Sequence, residues 1–346
     1  MNNRYPLQFT GKGSEYFSIW IVNIALTLLT LGIYSAWAKV RNKCWFYGHT
    51  LLDEQTFAYH ATPLQILKGR LIALAFIIAY FFSAKFAPTL FLLIILALFL
   101  STPWIVVNSL RFNARNSSYR GIRFGFIGTT GQAAKYFILY QFLVFITLGL
   151  ALPYVVYKQT KFIVNHYRYG QTPVTFNADA KAFWKIYGAM LLSMAIPIGL
   201  IFFVSIQASI LEKSSVPKDT VMLMLRNVLF IGIISFYIMI PIIGAYIKAR
   251  MSNLVYNNSQ IGSVSFVSTQ RARDLIWIFV SNILLIALTF GIFIPWAKVR
   301  LAKYRTSHLI VENQETLEGF TNDIRDQISA TGGELAEALD LDIGIN

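Results

Sequence analysis

Seven apolar runs near twenty residues long dominate this sequence, at 16–37, 67–84, 87–107, 136–157, 186–210, 221–247 and 275–296. A helix needs about 20 apolar residues to cross the hydrocarbon core of a bilayer, so each run is a candidate for immersion in lipid. Composition agrees. Of 346 residues, 56% are hydrophobic and 13% are charged, where a soluble domain carries about 25% charged residues. Polar gaps at Lys85 and at 212–219 pair the second run with the third and the fifth with the sixth, as hairpins. The first run exceeds a signal-peptide apolar core and has no small-residue cleavage site, so it is expected to stay in the mature protein. A single cysteine, Cys44, excludes an internal disulfide framework.

The three solitary runs share one interruption. Thr30-Leu31-Gly32-Ile33-Tyr34-Ser35-Ala36-Trp37-Ala38-Lys39-Val40-Arg41 aligns with Thr289-Phe290-Gly291-Ile292-Phe293-Ile294-Pro295-Trp296-Ala297-Lys298-Val299-Arg300, with eight of twelve positions identical. A weaker third copy runs from Thr147 through Gly149 to Tyr154. The register extends outward. Asn23 and Asn282 each lie nine residues before the glycine, and His49, His166 and His308 each lie seventeen after it. Between the apolar runs, polar-apolar alternation beside turn residues at 52–57, 120–124, 170–176 and 262–266 predicts short β-hairpins.

Charge bears on topology. The net charge is +14. If all seven runs cross the bilayer, Lys and Arg divide 18 to 12 between the two sides. If the three solitary runs enter and leave on one face, only Lys85, Lys213, Lys218 and Arg226 of the 30 basic residues lie opposite, a 26 to 4 split. The second arrangement satisfies the positive-inside tendency. A helix broken at Gly32, Gly149 or Gly291 suits a re-entrant segment, while a kinked full span remains the alternative.

The repeated element, together with Ser109-Leu110-Arg111-Phe112-Asn113-Ala114-Arg115-Asn116 and Tyr119-Arg120-Gly121-Ile122-Arg123-Phe124, resembles the YjgN family of bacterial inner-membrane proteins of unknown function. The resemblance covers roughly residues 5 to 320. It implies a bacterial inner membrane and supplies no reaction, cofactor or catalytic residue.

No acidic residue lies inside an apolar run, which disfavours a proton-coupled pump. Hydrolase and phosphate-loop motifs are missing, so the expected protein is not an enzyme and has no cofactor. His49, His166 and His308 could supply three nitrogen ligands to a metal. The alternative is a histidine at each helix end, bonding terminal carbonyls. Asn23 and Asn282 are intramembrane polar residues expected to join helices or complete a broken backbone. Lys39, Arg41, Arg111, Arg115, Arg120, Lys298 and Arg300 flank apolar helices and are the expected contacts for lipid or another anion. Nucleic acid is not expected, because no reading module accompanies the charge.

The sequence therefore predicts an all-α polytopic membrane protein with internal repeats and short cytoplasmic β-hairpins. The expected divisions are 1–120, with runs 16–37, 67–84 and 87–107; 121–262, with 136–157, 186–210 and 221–247; 263–320, with 275–296; and an acidic tail, 321–346, either solvated or folded back on the basic face. The expected role is non-enzymatic, membrane-organising or engaged with anionic lipid. The alternative is a channel or transporter for an uncharged or anionic solute, which requires a continuous polar path.

Overall fold

The computed structural model describes residues 3–212 and 217–338. The chain opens with β1 (Asn3–Pro6) and β2 (Gln8–Phe9), then α1 (Gly13–Leu29), α2 (Ser35–Gly48), β3 (Thr50–Leu52) and β4 (Gln55–Tyr59). Next come α3 (Pro63–Phe86), α4 (Pro88–Arg115), β5 (Ser117–Tyr119) and β6 (Ile122–Phe126). α5 (Thr130–Ala134) runs through a π-helical turn, Lys135–Leu139, into α6 (Tyr140–Ile146), followed by α7 (Leu152–Asn165), β7 (Tyr167–Tyr169) and β8 (Thr172–Phe176). α8 (Ala180–Glu212), α9 (Lys218–Asn257), β9 (Ser259–Ile261), β10 (Val264–Ser268), α10 (Ala272–Leu288), α11 (Ile294–Ser307), β11 (Leu309–Asn313) and α12 (Leu317–Ala338) complete it.

The expectation of an all-α protein is overturned. The short hairpins do not stand apart: they join edge to edge in one eleven-stranded antiparallel sheet, β1-β11-β10-β9-β8-β7-β6-β5-β4-β3-β2. Its two end strands are consecutive in sequence, separated only by Leu7, whose N–H donates to Leu309 O at 3.0 Å. The sheet is a nearly closed barrel. The physical reason is edge satisfaction, since an isolated hairpin leaves two rows of unpaired backbone groups. Along each strand, alternate residues point inward. Phe57, Tyr119, Phe124, Tyr169, Val264, Phe266 and Val311 lie inside, while Thr56, Arg123, Thr175 and Gln260 are exposed. The acidic stretch after β11 is helical as far as Ala338. Leu317, Phe320 and Ile324 of α12 pack into the barrel's apolar core. Residues 339–346 of the expected tail lie outside the described residues.

The expectation of four full spans and three glycine-broken segments, re-entrant or kinked, meets fewer candidate spans. Three helices among the described residues are long and apolar enough to cross a membrane: Pro63–Phe86, Pro88–Arg115 and Asp219–Asn257. Run 186–210 falls in α8, where several side chains lie outside the described residues. Runs 16–37, 136–157 and 275–296 are each cut in two, as α1 and α2, α6 and α7, and α10 and α11.

One turn makes all three cuts. Gly32, Gly149 and Gly291 have φ of +92°, +90° and +92°, a region glycine enters without Cβ strain. Each glycine N–H donates to the carbonyl five residues back, Thr27, Val144 or Ile286, at 2.8 Å, closing the helix end. The preceding threonine serves both helices. Thr30, Thr147 and Thr289 donate their hydroxyls to Leu26 O, Leu143 O and Leu285 O at 2.7, 2.8 and 2.6 Å. They accept from the N–H of Tyr34, Ala151 and Phe293 at 2.9, 3.0 and 3.1 Å.

The chain forms two compact units. The first, residues 1–178, 255–269 and 294–346, holds the barrel. Its helix starts are capped by Thr62 with Gln65 and Thr129 with Gln132. The second, 179–254 and 270–293, packs Ala245, Ala249, Leu275 and Ile278 out of solvent. In it the Asn253 side-chain amide exchanges two bonds with the backbone of Gln270, at 2.8 and 2.9 Å.

Candidate functional site

The barrel is not filled by its own side chains. It holds a partly open cavity of about 690 Å³ lined mainly by apolar and aromatic groups, a size within the range of small-molecule sites. Strand residues Leu7, Leu52, Phe57, Tyr119, Phe124, Tyr169, Val174 and Ile261 form the wall, while Leu317, Phe320 and Thr321 of α12 also line it. Helix-end residues complete the lining: Phe46 and Tyr47 of α2, Asn113 and Ala114 of α4, Val164 of α7, and Val255 and Tyr256 of α9.

The rim where strands meet helices repeats one bond. The residues leaving the strands, Thr10, His60, Ile127, Asn177 and Thr269, donate their N–H to the carbonyls of His49, Asn116, His166, Asn258 and His308, at 3.0, 2.8, 2.9, 2.9 and 3.0 Å. These acceptors follow the last residues of α2, α4, α7, α9 and α11. Each histidine side chain is held by its own helix. Nδ1 lies 2.7, 2.7 and 2.8 Å from Trp45 O, Phe162 O and Tyr304 O, so Nδ1 carries the proton and the ring caps the helix's negative end. Asn116 Nδ2 makes the same bond, to Phe112 O at 2.8 Å. Among the described residues no group of three His, Cys, Asp or Glu side chains could hold a metal; the three imidazoles remain spread around the rim.

The basic residues divide by what they touch. Lys39, Arg41, Arg115 and Lys298 are exposed, and Arg300 is half-buried. Arg111 donates to Gly128 O at 3.0 Å. Arg120 belongs to the barrel's far end. It pairs with Asp53 at 2.6 Å and donates Nε–H to the Tyr119 hydroxyl at 3.2 Å, and its carbonyl accepts from Arg325 of α12 at 2.5 Å. Asn23 is buried and donates Nδ2–H to Asn42 Oδ1 at 3.1 Å, joining α1 to α2; Asn282 is buried at mid-helix in α10. In the middle pair, Gln159 Nε2 donates to Tyr136 O at 3.0 Å, in the π-helical turn where the regular backbone ladder is broken.

Two phenols lock the barrel wall. Tyr119 donates to Leu52 O at 2.7 Å and Tyr169 to Tyr119 O at 2.9 Å. Burial pushes both phenols above the ordinary value of 10.0. The fold thus holds the neutral form, so their contribution is fully present below the unfolded value and is lost as pH rises through the folded value. Unfolding by urea at increasing pH is expected to show a level midpoint to about pH 9 and a decline above about 10. The double change Y119F/Y169F should shallow that decline and cost about 1–3 kcal/mol per orphaned carbonyl near pH 7. A decline of equal steepness in the variant would contradict the assignment.

The cavity was not evident from sequence. Its wall positions are the inward half of each alternating strand, a signal that exists, but their convergence depends on pairings between segments far apart in the chain. The α12 residues carried a readable mark, since Leu317, Phe320 and Ile324 share one helix face.

The architecture defines a class: apolar helical pairs alternating with β-strands that assemble into one nearly closed barrel. The chain belongs to the family described as bacterial protein of unknown function (DUF898), whose signature matches residues 4–338. It is 24% identical over 365 aligned residues to a protein of Salmonella typhimurium strain LT2 named inner membrane protein YjgN, covering 93% of this chain and 92% of the relative. Proteins of the same name from Escherichia coli O157:H7 and K12 are each 31% identical over 119 residues, 34% of this chain and 30% of theirs. No solved structure matches.

Proposed function

We propose that this chain is a multi-pass inner-membrane protein whose three glycine-turned helical pairs dip into one leaflet and hold the barrel against anionic headgroups. The observation that carries the reading is the residue before each glycine. Leu31, Leu148 and Phe290 adopt left-handed φ of 47°, 49° and 48° and are 95%, 93% and 97% exposed. That conformation costs a non-glycine residue about 1–2 kcal/mol, and these side chains bury almost nothing in the protein. A strained, fully exposed apolar tip gains free energy in lipid. The identical turns also support reading the pairs as copies of one element.

The reversal at each turn returns both ends of a pair to the strands, so connectivity favours a cytoplasmic barrel and one-sided basic residues. The first pair dips less far than α3 extends. Arg70 of α3 donates to Ser35 beside the turn, and from there Leu71–Ala84 runs fourteen residues without charge, about 21 Å. A transporter calls for a continuous polar path; the apolar barrel interior and the α12 side chains packed into it argue against one.

Lipid preference tests the reading. In bilayers, quenching of tryptophan fluorescence by brominated phosphatidylglycerol should exceed quenching by brominated phosphatidylcholine at low salt. Reversing Lys39, Arg41, Arg115 and Lys298 to Glu should remove the preference, each charge near the surface being worth about 1 kcal/mol. Added salt should weaken it in the unaltered protein. Equal quenching by both lipids in the unaltered protein would refute headgroup engagement.

A further inference from the structure

The cavity inside the barrel and two cations that neighbour residues lining it point to one kind of ligand. Arg305 of α11 has a buried Nη2 with no hydrogen-bond partner, and its electrostatic neighbour is Tyr256, which lines the cavity. Lys43 of α2 donates to Oδ1 of Asn113 at 2.6 Å, and Asn113 lines the cavity too. Neither cation has a salt bridge among the described residues. Burial lowers the pKa of both, opposed at Arg305 by Tyr256 and reinforced at Lys43 by Lys39. A buried cation without a counterion is costly, and an anion arriving beside it relieves that cost. The remaining space is apolar and of ligand size.

We infer that the barrel binds an amphiphile with a single acyl chain inserted among Phe57, Phe124, Val174 and Phe266 and an anionic head at Arg305 and Lys43. A free fatty acid and one chain of an anionic phospholipid offer the same chemistry. The inference rests on the membrane reading only for the source of the ligand, because binding in the cavity is measurable whatever the lipid preference of the outer surface.

The experiment uses the full chain in detergent with a photoactivatable fatty acid and, separately, a photoactivatable phosphatidylglycerol. Saturable labelling of peptides 164–176 and 255–266 is expected, and whichever probe labels them at lower concentration identifies the source. Labelling confined to α3 and α4 with both probes overturns the proposal, and this result needs no variant. Val174→Trp fills the cavity and should abolish cavity labelling at unchanged circular dichroism; if that variant does not fold, labelling of the unaltered protein decides. R305Q should weaken fatty-acid binding about tenfold, the loss expected for a bond to a charged group, and leave the matching fatty alcohol unaffected. Equal weakening of acid and alcohol would overturn the assignment of the head to Arg305.

Discussion

Ile324→Asp is expected to release the C-terminal helix from the barrel and leave the strands assembled. Ile324 is 1% exposed and Leu317 3%, and Phe320 packs beside them on the barrel core. The residues of that core are all uncharged, and burying a carboxylate among them unpaired costs several kcal/mol. The chain has a less costly alternative. Undocking forfeits the burial of two aliphatic side chains and one ring, about 1.5–3 kcal/mol each, or roughly 4.5–9 kcal/mol in all, and this sum caps the penalty. The same step breaks the bond from Arg325 to Arg120 O. Amide hydrogen exchange should show α12 losing protection while β5 and β6 keep theirs. Protection retained at α12 would mean that it is not held by this face.

The second large effect concerns the turns. An added Cβ at Gly32 or Gly149 meets nothing within 4 Å, so alanine there is opposed by backbone conformation alone, and Gly291 shares that φ. At φ near +90° that cost is about 1–2 kcal/mol per site, or about 3–6 kcal/mol for the triple variant. Gly69 supplies the control. It too has open space around the added atom, but lies inside α3 with no positive φ, so Gly69→Ala should stabilise by about 0.5–1 kcal/mol. Thermal unfolding in detergent reads both. Destabilisation at Gly69 equal to that at the turns would show that loss of glycine as such, not φ, is what matters.

Features that leave a local mark were legible in the sequence. A left-handed turn demands glycine, so the three breaks stood out, and the equal spacing to the histidines followed the helix that each turn starts. The four hairpins at 52–57, 120–124, 170–176 and 262–266 announced themselves through alternation and turn residues. Their union did not, because strand pairing is non-local: Tyr59 meets Ser117, and Phe176 meets Ser259. The closing strands were hardest to see. β11 and β1 pair Asn313 with Asn3, so that pair is divided between the two ends of the chain and has no turn to mark it. Acidic composition hid α12, although its apolar face was spaced for docking.

In the proposed arrangement the helical pairs reverse direction, which requires every strand turn to lie on one side of the membrane. With Cys44 replaced by Ser, single cysteines at Gln55, Gln171 and Ser263, all exposed in or directly beside barrel turns, can be challenged with a membrane-impermeant thiol reagent from each side. A fourth at Lys85, in the last turn of α3, serves as the opposite marker. All three barrel positions should react only from the cytoplasm and Lys85→Cys only from the periplasm. Periplasmic labelling at any of the three barrel turns would contradict the account.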